Sequence, residues 1–275
     1  MSVDLTLDNS DLAKAYDEIS DSQFANGLNL IGRLGITEGD TVLDIGSGTG
    51  RLGRHIAGII GTSGSLTGID PLRERIRIAN EKNLHSNAVY KLGTAESLSF
   101  IESSSVDVVI LNAVFHWVVD KETALREIFR VLKHGGRVGI TTGAKELSSI
   151  SGVQAITEGI LNSKKYSEVV NLENYILKKH GLTATELILL LTKAGLAIDD
   201  IQVKASFWSF QSASELIRHS EASSFGNYLS HVPDSLRDSV KSDIETELEK
   251  HRTEEGIKVE RHTIFAVAQK RRPLL

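Results

Sequence analysis

An acid, a serine and three alternating glycines stand together at Asp44-Ile45-Gly46-Ser47-Gly48-Thr49-Gly50, directly after the apolar run Val42-Leu43. Glycines at every second position permit a tight turn and let the backbone approach a ligand closely. Arg51 to Ile60 follows with apolar residues at Leu52, Ile56, Ile59 and Ile60, a helical spacing. The start of that helix offers backbone N–H groups to an acceptor. A second run, Ser65 to Ile69, ends in another acid, Asp70, followed by Pro71. A carboxylate in that place suits the two hydroxyls of a ribose. Strand, glycine turn, helix and strand in this order predict a nucleotide-handling site. The spacing then discriminates between nucleotides. A dinucleotide fingerprint, GxGxxG, makes room for a pyrophosphate. Here the pattern is DxGxGxG, and an acid at the mouth of the loop repels a pyrophosphate and attracts an ammonium group. That argues against an NAD-dependent oxidoreductase.

This pattern resembles motif I of the class I S-adenosylmethionine (SAM) dependent methyltransferases. In that family the loop holds the amino-acid end of SAM, and the acid ending the second strand holds the ribose. The resemblance implies SAM as cofactor, S-adenosylhomocysteine as product, and Asp44, Gly46, Ser47, Gly48, Gly50, Asp70 and Pro71 around the cofactor. The segment Val89 to Phe100 looks like the third strand and its exit loop. Similar enzymes read Gly-Asp-Ala-Glu there, then a leucine and a Pro-Phe pair. Thr94 replaces the acid and Ser99 the proline. A threonine hydroxyl still accepts a hydrogen bond, but a neutral one. Adenine recognition is expected at Thr94, Ala95 and Glu96. The resemblance is strong over about residues 10–145 and weak beyond. The chain resembles small-molecule enzymes such as the ubiquinone/menaquinone, trans-aconitate and malonyl-carrier-protein methyltransferases.

The elements that must position these groups alternate. Val106 to Asn112 is a nearly continuous apolar run, as a central parallel strand buried on both faces requires. Asp120 to Leu132 reads as a helix stopped by Lys133-His134-Gly135-Gly136, and Val138 to Thr142 as a fifth strand. The fold class is α/β: a Rossmann-like, seven-stranded, mostly parallel sheet with an antiparallel last strand. Residues 1–142 form the SAM-binding core, with one or two cover helices over Asp8 to Leu34 that bring Tyr16 over the site or simply pack on it. Residues 143–181 form a lid insertion with helices over Glu146–Gly159 and Ser167–Lys179. Residues 182–205 return to the core through a helix whose start, Thr183 with Glu186, is a capping box, and a strand over Leu196–Ala205. Residues 206–260 form a second lid insertion with helices over Ser212–Arg218, Glu221–Leu229 and Pro233–His251. Leu236, Val240, Ile244 and Leu248 give the last of these one apolar stripe. Residues 261–275 hold the last strand, Arg261–Gln269, and a tail.

The loop Asn112-Ala113-Val114-Phe115-His116-Trp117 follows the fourth strand, which in this family ends near the transferable methyl group. The resemblance therefore places Asn112 against the cofactor. It lacks the two prolines of base-methylating enzymes, and Asn112 is a poor substitute for the carboxylate that metal-dependent relatives place there. No metal is expected. His116 is the best candidate for chemistry, because histidine exchanges protons near neutrality. It would take a hydroxyl proton, anchor a substrate carboxylate, or serve structure alone beside Trp117. Phe115 and Trp117 are candidates for one wall of a substrate pocket, with at least one of them expected in the core. Trp208 and Phe210 are candidates for the other wall. His219 and His231 have no partner legible in the sequence and are expected at the surface.

Composition bounds the remainder. The 275 residues are 40% hydrophobic and 24% charged, as in an ordinary globular protein. No run long enough to span a membrane is present, and the first residues lack the pattern of a signal peptide. A cytoplasmic location is the simplest expectation. A net charge of −5 argues against a nucleic-acid partner, and Lys270-Arg271-Arg272 reads as a solvated tail. Cysteine is absent, which removes thiol catalysis and thiolate metal sites. It also argues against the arsenite methyltransferases that this fold resembles, which hold arsenic on thiolates. The expectation is a methyltransferase acting on a small molecule, preferably at a hydroxyl or carboxylate oxygen. The alternatives are C-methylation of an activated aromatic or enol, and SAM binding without transfer. Oligomeric state is open.

Overall fold

The run Val106–Asn112 is interrupted only by Asp107 before its terminal Asn112, because both of its faces are covered. The structure, a computed structural model, describes residues 4–145, 152–170 and 181–271. Two cover helices, α1 (Ser10–Ile19) and α2 (Asp21–Leu34), precede alternating strands and helices: β1 (Thr41–Ile45), α3 (Arg51–Ile60), β2 (Ser65–Asp70), α4 (Arg73–Glu81), β3 (Ala88–Leu92), β4 (Val106–Asn112), α5 (Lys121–Val131) and β5 (Leu132–Gly143). A short 3-10 turn, Phe115–Trp117, lies between β4 and α5. Then come α6 (Gly152–Leu161), α7 (Ala184–Lys193), β6 (Ala197–Phe210), α8 (Ala213–Ser223), α9 (Asp234–Glu249) and β7 (Ile257–Gln269). The seven strands form one sheet in the order β3-β2-β1-β4-β5-β7-β6. β7 runs antiparallel to both of its neighbours, and the pairs among β1 to β5 are parallel.

Side chains on a strand alternate between faces, and β4 shows the consequence. Val109 and Leu111 join the core under α5 and α7, with Leu125, Ile128, Leu187 and Leu191. Val108 and Ile110 join the opposite core under α2 and α3, with Leu30, Leu34, Leu52 and Ile56. A third core belongs to the lid: Tyr166, Phe210, Leu216, Tyr228, Val240, Ile244 and Leu248 pack together with Ile257 and Val259. The apolar stripe of α9 is what closes it. The capping box is present at the start of α7, where Thr183 Oγ1 accepts from Glu186 N and Glu186 accepts from Thr183 N.

Several boundaries differ from the sequence expectation. β5 begins at Leu132, because Leu132 pairs with Val106 as soon as α5 ends. β6 continues to Phe210 and β7 begins at Ile257, so the second insertion covers only 211–256. The two strands pair continuously from Ala197–Gln269 to Phe210–Ile257 apart from one bulge between Ile198 and Asp200. β5 pairs with β7 only as far as Gly143–Thr263, so the β6–β7 arm projects beyond it and carries the lid core. A strand partner, not local propensity, sets that length. Ser167 to Val169 is turn rather than helix, and most of the helix expected over 167–179 lies outside the described residues, as do residues 146–151. The helix expected over Glu221–Leu229 is instead the end of α8 followed by turns. Lys270 is buried rather than solvated: its Nζ donates to Leu132 O (2.8 Å) and lies 4.7 Å from the Phe129 ring centroid. Arg271 lies 3.8 Å from Asp199, and Arg272 is outside the described residues. Among the described residues, no helix is long and apolar enough to cross a membrane.

Candidate active site

A cavity of about 460 Å³ opens at the carboxyl ends of the strands, under the lid. This is where open α/β sheets place ligands. One end is lined by Asp70, Pro71, Thr94, Ala95 and Glu96, from the tips of β2 and β3. The middle is lined by Gly46, Asn112, Val114, His116 and Trp117. The far end is lined by Thr142, Trp208, His219, Tyr228 and Arg261, from the sheet, the β6–β7 arm and the lid. Tyr16 also lines it, from α1.

The glycine loop is tied to β2. Gly46 N and Ser47 N both donate to Ile69 O (2.7 and 2.9 Å), and Gly48 N donates to Asp70 Oδ2 (2.9 Å). Three N–H groups of the loop are therefore occupied by the fold. Gly46, Gly48 and Gly50 all have positive φ. At Gly46 a Cβ would come within 2.2 Å of Val114, so only glycine fits between loop and cavity wall. Gly50 has a different duty: a Cβ there would meet Ala79 and the Tyr90 ring at 3.0 Å, so it packs α3 onto the sheet. Asp44, Ser47, Gly48 and Gly50 do not line the cavity; they are buried behind its surface.

Asp44 and Asp70 form a buried acidic pair. Asp44 is 2% exposed, its Oδ2 has no hydrogen-bond partner, and burial with the nearby Asp70 charge pushes its pKa up to about 7. Ser47 Oγ is likewise buried without a partner. Asp70 Oδ1 accepts from Leu72 N (2.9 Å) while Oδ2 accepts from Gly48. Burial raises its pKa too, opposed by Arg75 and by those two N–H groups. Arg75 is 5% exposed, donates to Ala222 O (2.8 Å), and stacks 4.0 Å from the Tyr16 ring centroid. It was not expected. Its signal was its place one residue before Ile76, between Leu72 and Ala79, on the buried stripe of α4.

Thr94, Ala95 and Glu96 line the cavity, and Glu96 has structural work: its Oε1 accepts from Val119 N (3.2 Å) and Asp120 N (3.4 Å). Asn112 is held on both sides. Its Nδ2 donates to Gln23 O (2.9 Å), and its Oδ1 accepts from Thr141 Oγ1 (2.7 Å), which in turn accepts from Ala113 N (2.8 Å). Ala113 has φ 58, and Phe225 on the lid has φ 43. Both line the cavity, and left-handed backbone at non-glycine residues is strain of the kind that clusters at functional sites. The turn after Ala113 carries His116, whose Nδ1 lies 3.1 Å from Thr142 Oγ1.

The aromatic candidates divide. Phe115 is fully buried in the core under α5, and Phe210 is in the lid core; neither lines the cavity. Trp117 lines it, edge-on to Phe225 at 4.9 Å. Trp208 lines it, edge-on to His219 at 5.3 Å. The surface expectation for His219 and His231 is corrected, since both are buried and held neutral with pKa values lowered to about 4 by desolvation. His219 belongs to the cavity, with Nε2 3.5 Å from Gln23 Nε2 and 3.4 Å from Ser223 Oγ. Its place three residues after Leu216 and three before Ala222 put it on the buried face of α8. Gln23, Thr142, Tyr228 and Arg261 had no comparable signal.

A family model for a methyltransferase domain matches residues 43–140, the stretch that supplies the glycine loop, Asp70, the loop Thr94-Ala95-Glu96 and the turn bearing His116. Over those residues the chain is similar to a methyltransferase domain. A solved putative methyltransferase from Bacillus halodurans shares the fold, with a TM-score of 0.63 and 14% identity over 90% of this chain and 100% of that one. Curated methyltransferases also match part of the chain in sequence. The arsenite methyltransferase of Mus musculus is 33% identical over 138 residues, 46% of this chain and 36% of that protein. The ubiquinone/menaquinone biosynthesis C-methyltransferase of Pasteurella multocida is 33% identical over 117 residues, 41% of this chain and 43% of that protein. The chain thus spans less than half the length of either. The β6–β7 arm and the lid lie outside the methyltransferase-domain match.

Proposed function

We propose that the chain transfers the methyl group of SAM to an oxygen, hydroxyl or carboxylate, of a small-molecule acceptor. The observation that carries this reading is the His116–Thr142 pair, set in the middle of a covered cavity between an acidic end and an end built by the lid. The residues fit SAM. Asp44 Oδ2 and Ser47 Oγ are buried polar atoms in want of partners, and the amino-acid end of SAM has the ammonium and carboxylate to meet them. Asp70 retains a lone pair on each oxygen beyond its backbone bonds, enough for the ribose hydroxyls. Pro71, Thr94 and Ala95 face the adenine, with Glu96 holding that rim closed.

SAM supplies a methyl carbon already activated by its sulfonium: the acceptor oxygen forms the new O–C bond as the C–S bond breaks, and S-adenosylhomocysteine leaves as a neutral thioether. The chain orients and excludes water. With Nδ1–H donating to Thr142 Oγ1, His116 presents its lone pair at Nε2 and takes the proton of a hydroxyl acceptor. With a carboxylate acceptor no proton moves, and His116 binds. Arsenite is a poor candidate acceptor, because the chain has no cysteine. C-methylation is the second reading, favoured by the aromatic walls Trp117, Trp208 and Phe225 and by the Pasteurella multocida relative.

The test is methyl-labelled SAM incubated with the protein and a small-metabolite extract. Label in a solvent-extractable product is the expected result. No transfer from a protein that still binds SAM would overturn the reading in favour of a SAM-binding protein. Base treatment then sorts the product, since an ester releases volatile label and an ether or C-methyl group does not.

A further inference from the structure

The cover over Asp70 comes from two distant parts of the chain, which meet on one side chain of the core. The segment leading into α1 and the lid turns after α8 are stapled together. Asn227 Oδ1 accepts from Asp4 N (3.1 Å), and its Nδ2 donates to Asp4 O (2.9 Å). Arg218 of α8 pairs with Glu18 of α1 at 2.9 Å. Beneath this cap lies Arg75, the third residue of α4 and only 5% exposed. Its Nη2 donates to Ala222 O (2.8 Å) in the last turn of α8, where a helix end favours a cation. Its guanidinium carbon lies 4.0 Å from the Tyr16 ring centroid and 5.7 Å from that of Phe225. One core residue thus reaches the cover helix and the lid together. It also lines the cavity, beside Asp70, Pro71 and Leu72. Burial raises the pKa values of both Asp8 and Asp70, and the Arg75 charge opposes each rise. The same guanidinium therefore serves an acid of the cap and an acid of the cofactor end. One of its donors is unmet: Nε is buried without a hydrogen-bond partner.

We propose that Arg75 couples the nucleoside of the cofactor to closure of the cap. Its Nε–H donates to a lone pair of the nucleoside while Nη2 keeps Ala222 O, so a filled cofactor end fastens the lid that completes the acceptor end. This rests on the SAM-binding part of the function proposed above. A guanidinium carries its donors in a rigid fork, so one group meets two partners without a change of shape. Ribose oxygens and adenine ring nitrogens are acceptors, and Asp70 already sets the ribose on this side of the cavity. A buried donor left unmet costs free energy, and a buried charge left without partners costs more. Closure over an empty cofactor end bears that cost. Closure over a bound nucleoside does not, and Asp70, engaged by the ribose, is held ionised beside the guanidinium. The lid is therefore fastened by the nucleoside half of the cofactor, with the cofactor entering before the acceptor. By linkage, closure strengthens nucleoside binding by the factor by which the nucleoside favours closure.

The experiment follows amide hydrogen exchange in α1 and α8 of the full chain. It compares the ligand-free protein with protein saturated by S-adenosylhomocysteine, or by 5′-methylthioadenosine, which carries the nucleoside without the amino-acid end. Both ligands should slow exchange in both helices about tenfold or more. In Arg75→Gln the ligands should bind about tenfold more weakly, and at saturation their protection of α8 should fall to within about twofold of none. Arg75→Lys, one ammonium in place of a fork, should recover part of that protection. Ligand that binds without slowing exchange in α8 would overturn the proposal and leave cofactor binding standing. So would a Gln variant whose α8 exchanges faster by the same factor with and without ligand, the mark of a residue that serves packing alone. Should Arg75→Gln fail to fold, Arg75→Lys decides by the same ratio, and a ratio as large as that of the unaltered protein overturns the proposal. Failure of both ligands to bind the unaltered protein would overturn the SAM reading, and this proposal with it.

Discussion

The cofactor end of the cavity and its acceptor end draw on the chain in different ways. The proposed cofactor end takes its lining from within residues 45–96, as successive strand-to-helix loops that lie side by side because β1, β2 and β3 are neighbours in the sheet. The acceptor end takes Gln23 from α2, His116 and Thr142 from beside β4 and β5, Trp208 and Arg261 from the β6–β7 arm, and His219 and Tyr228 from the lid. The first end is acidic and tied by backbone hydrogen bonds. The second is neutral to basic, aromatic, and held together by a separate hydrophobic core. Such a division lets one end remain fit for SAM while the other is rebuilt for a different acceptor. The family match covers the first end and the turn bearing His116 and stops short of the β6–β7 arm.

If the division is real, damage to one end should leave the other's affinity unchanged. Gly46→Ala should have the largest effect, because its Cβ would clash with Val114 from a backbone at φ 73. A loss of SAM affinity of about 100-fold or more is expected by calorimetry, in line with the strain and overpacking terms combined. His116→Ala should lower kcat about 100-fold, as loss of a general base does, with SAM affinity within twofold. Equal loss of both would mean that His116 supports structure across the two ends. Asp70→Ala should weaken SAM by more than about tenfold, since it also strands the N–H groups of Gly48 and Leu72. Unchanged affinity would sink the ribose assignment.

A smaller effect is expected from pH. Asp44 holds its proton up to about pH 7 in the ligand-free protein. A group raised in this way contributes stability that is full below its unfolded value near 3.8 and is lost as pH rises through about 7. Binding of an ammonium group favours the ionised form, so SAM affinity should rise roughly tenfold between pH 6 and pH 8, with proton release near neutrality. Asp44→Asn should abolish that dependence, and a flat profile in the unaltered protein would break the pairing of Asp44 with the amino group. Smallest of all, Thr183→Ala should cost about 1 kcal/mol in denaturant unfolding through loss of its cap, and should change neither SAM affinity nor acceptor KM.

How much could be read beforehand follows the same boundary. The glycine loop, Asp70, the third-strand loop and the doubly buried β4 were legible because each is a contiguous string whose chemistry depends on neighbours in sequence. The capping box at Thr183 and the stripe on α9 were legible for that reason too. Phe115 and Trp117 could not be told apart, since a 3-10 turn sends one into the core and the other into the cavity. Phe210 and Trp208 share a strand face, yet one reaches the lid core and the other stops at the cavity. The extension of β6 to Phe210 was hidden because a hairpin partner more than forty residues away supplies it.

The sequence by itself determined a mostly parallel α/β sheet, with the glycine loop and an acid at the tips of β1 and β2, because hydrophobic period, glycine spacing and acid placement are local quantities. Only the tertiary structure decided that Arg75 and His219 are buried, that His116 leans on Thr142, and that Arg261 joins Trp208 at the end away from the cofactor. Those facts depend on strand register and on which helix faces meet. They are settled by the packing of segments far apart in the chain, which no stretch of residues encodes alone.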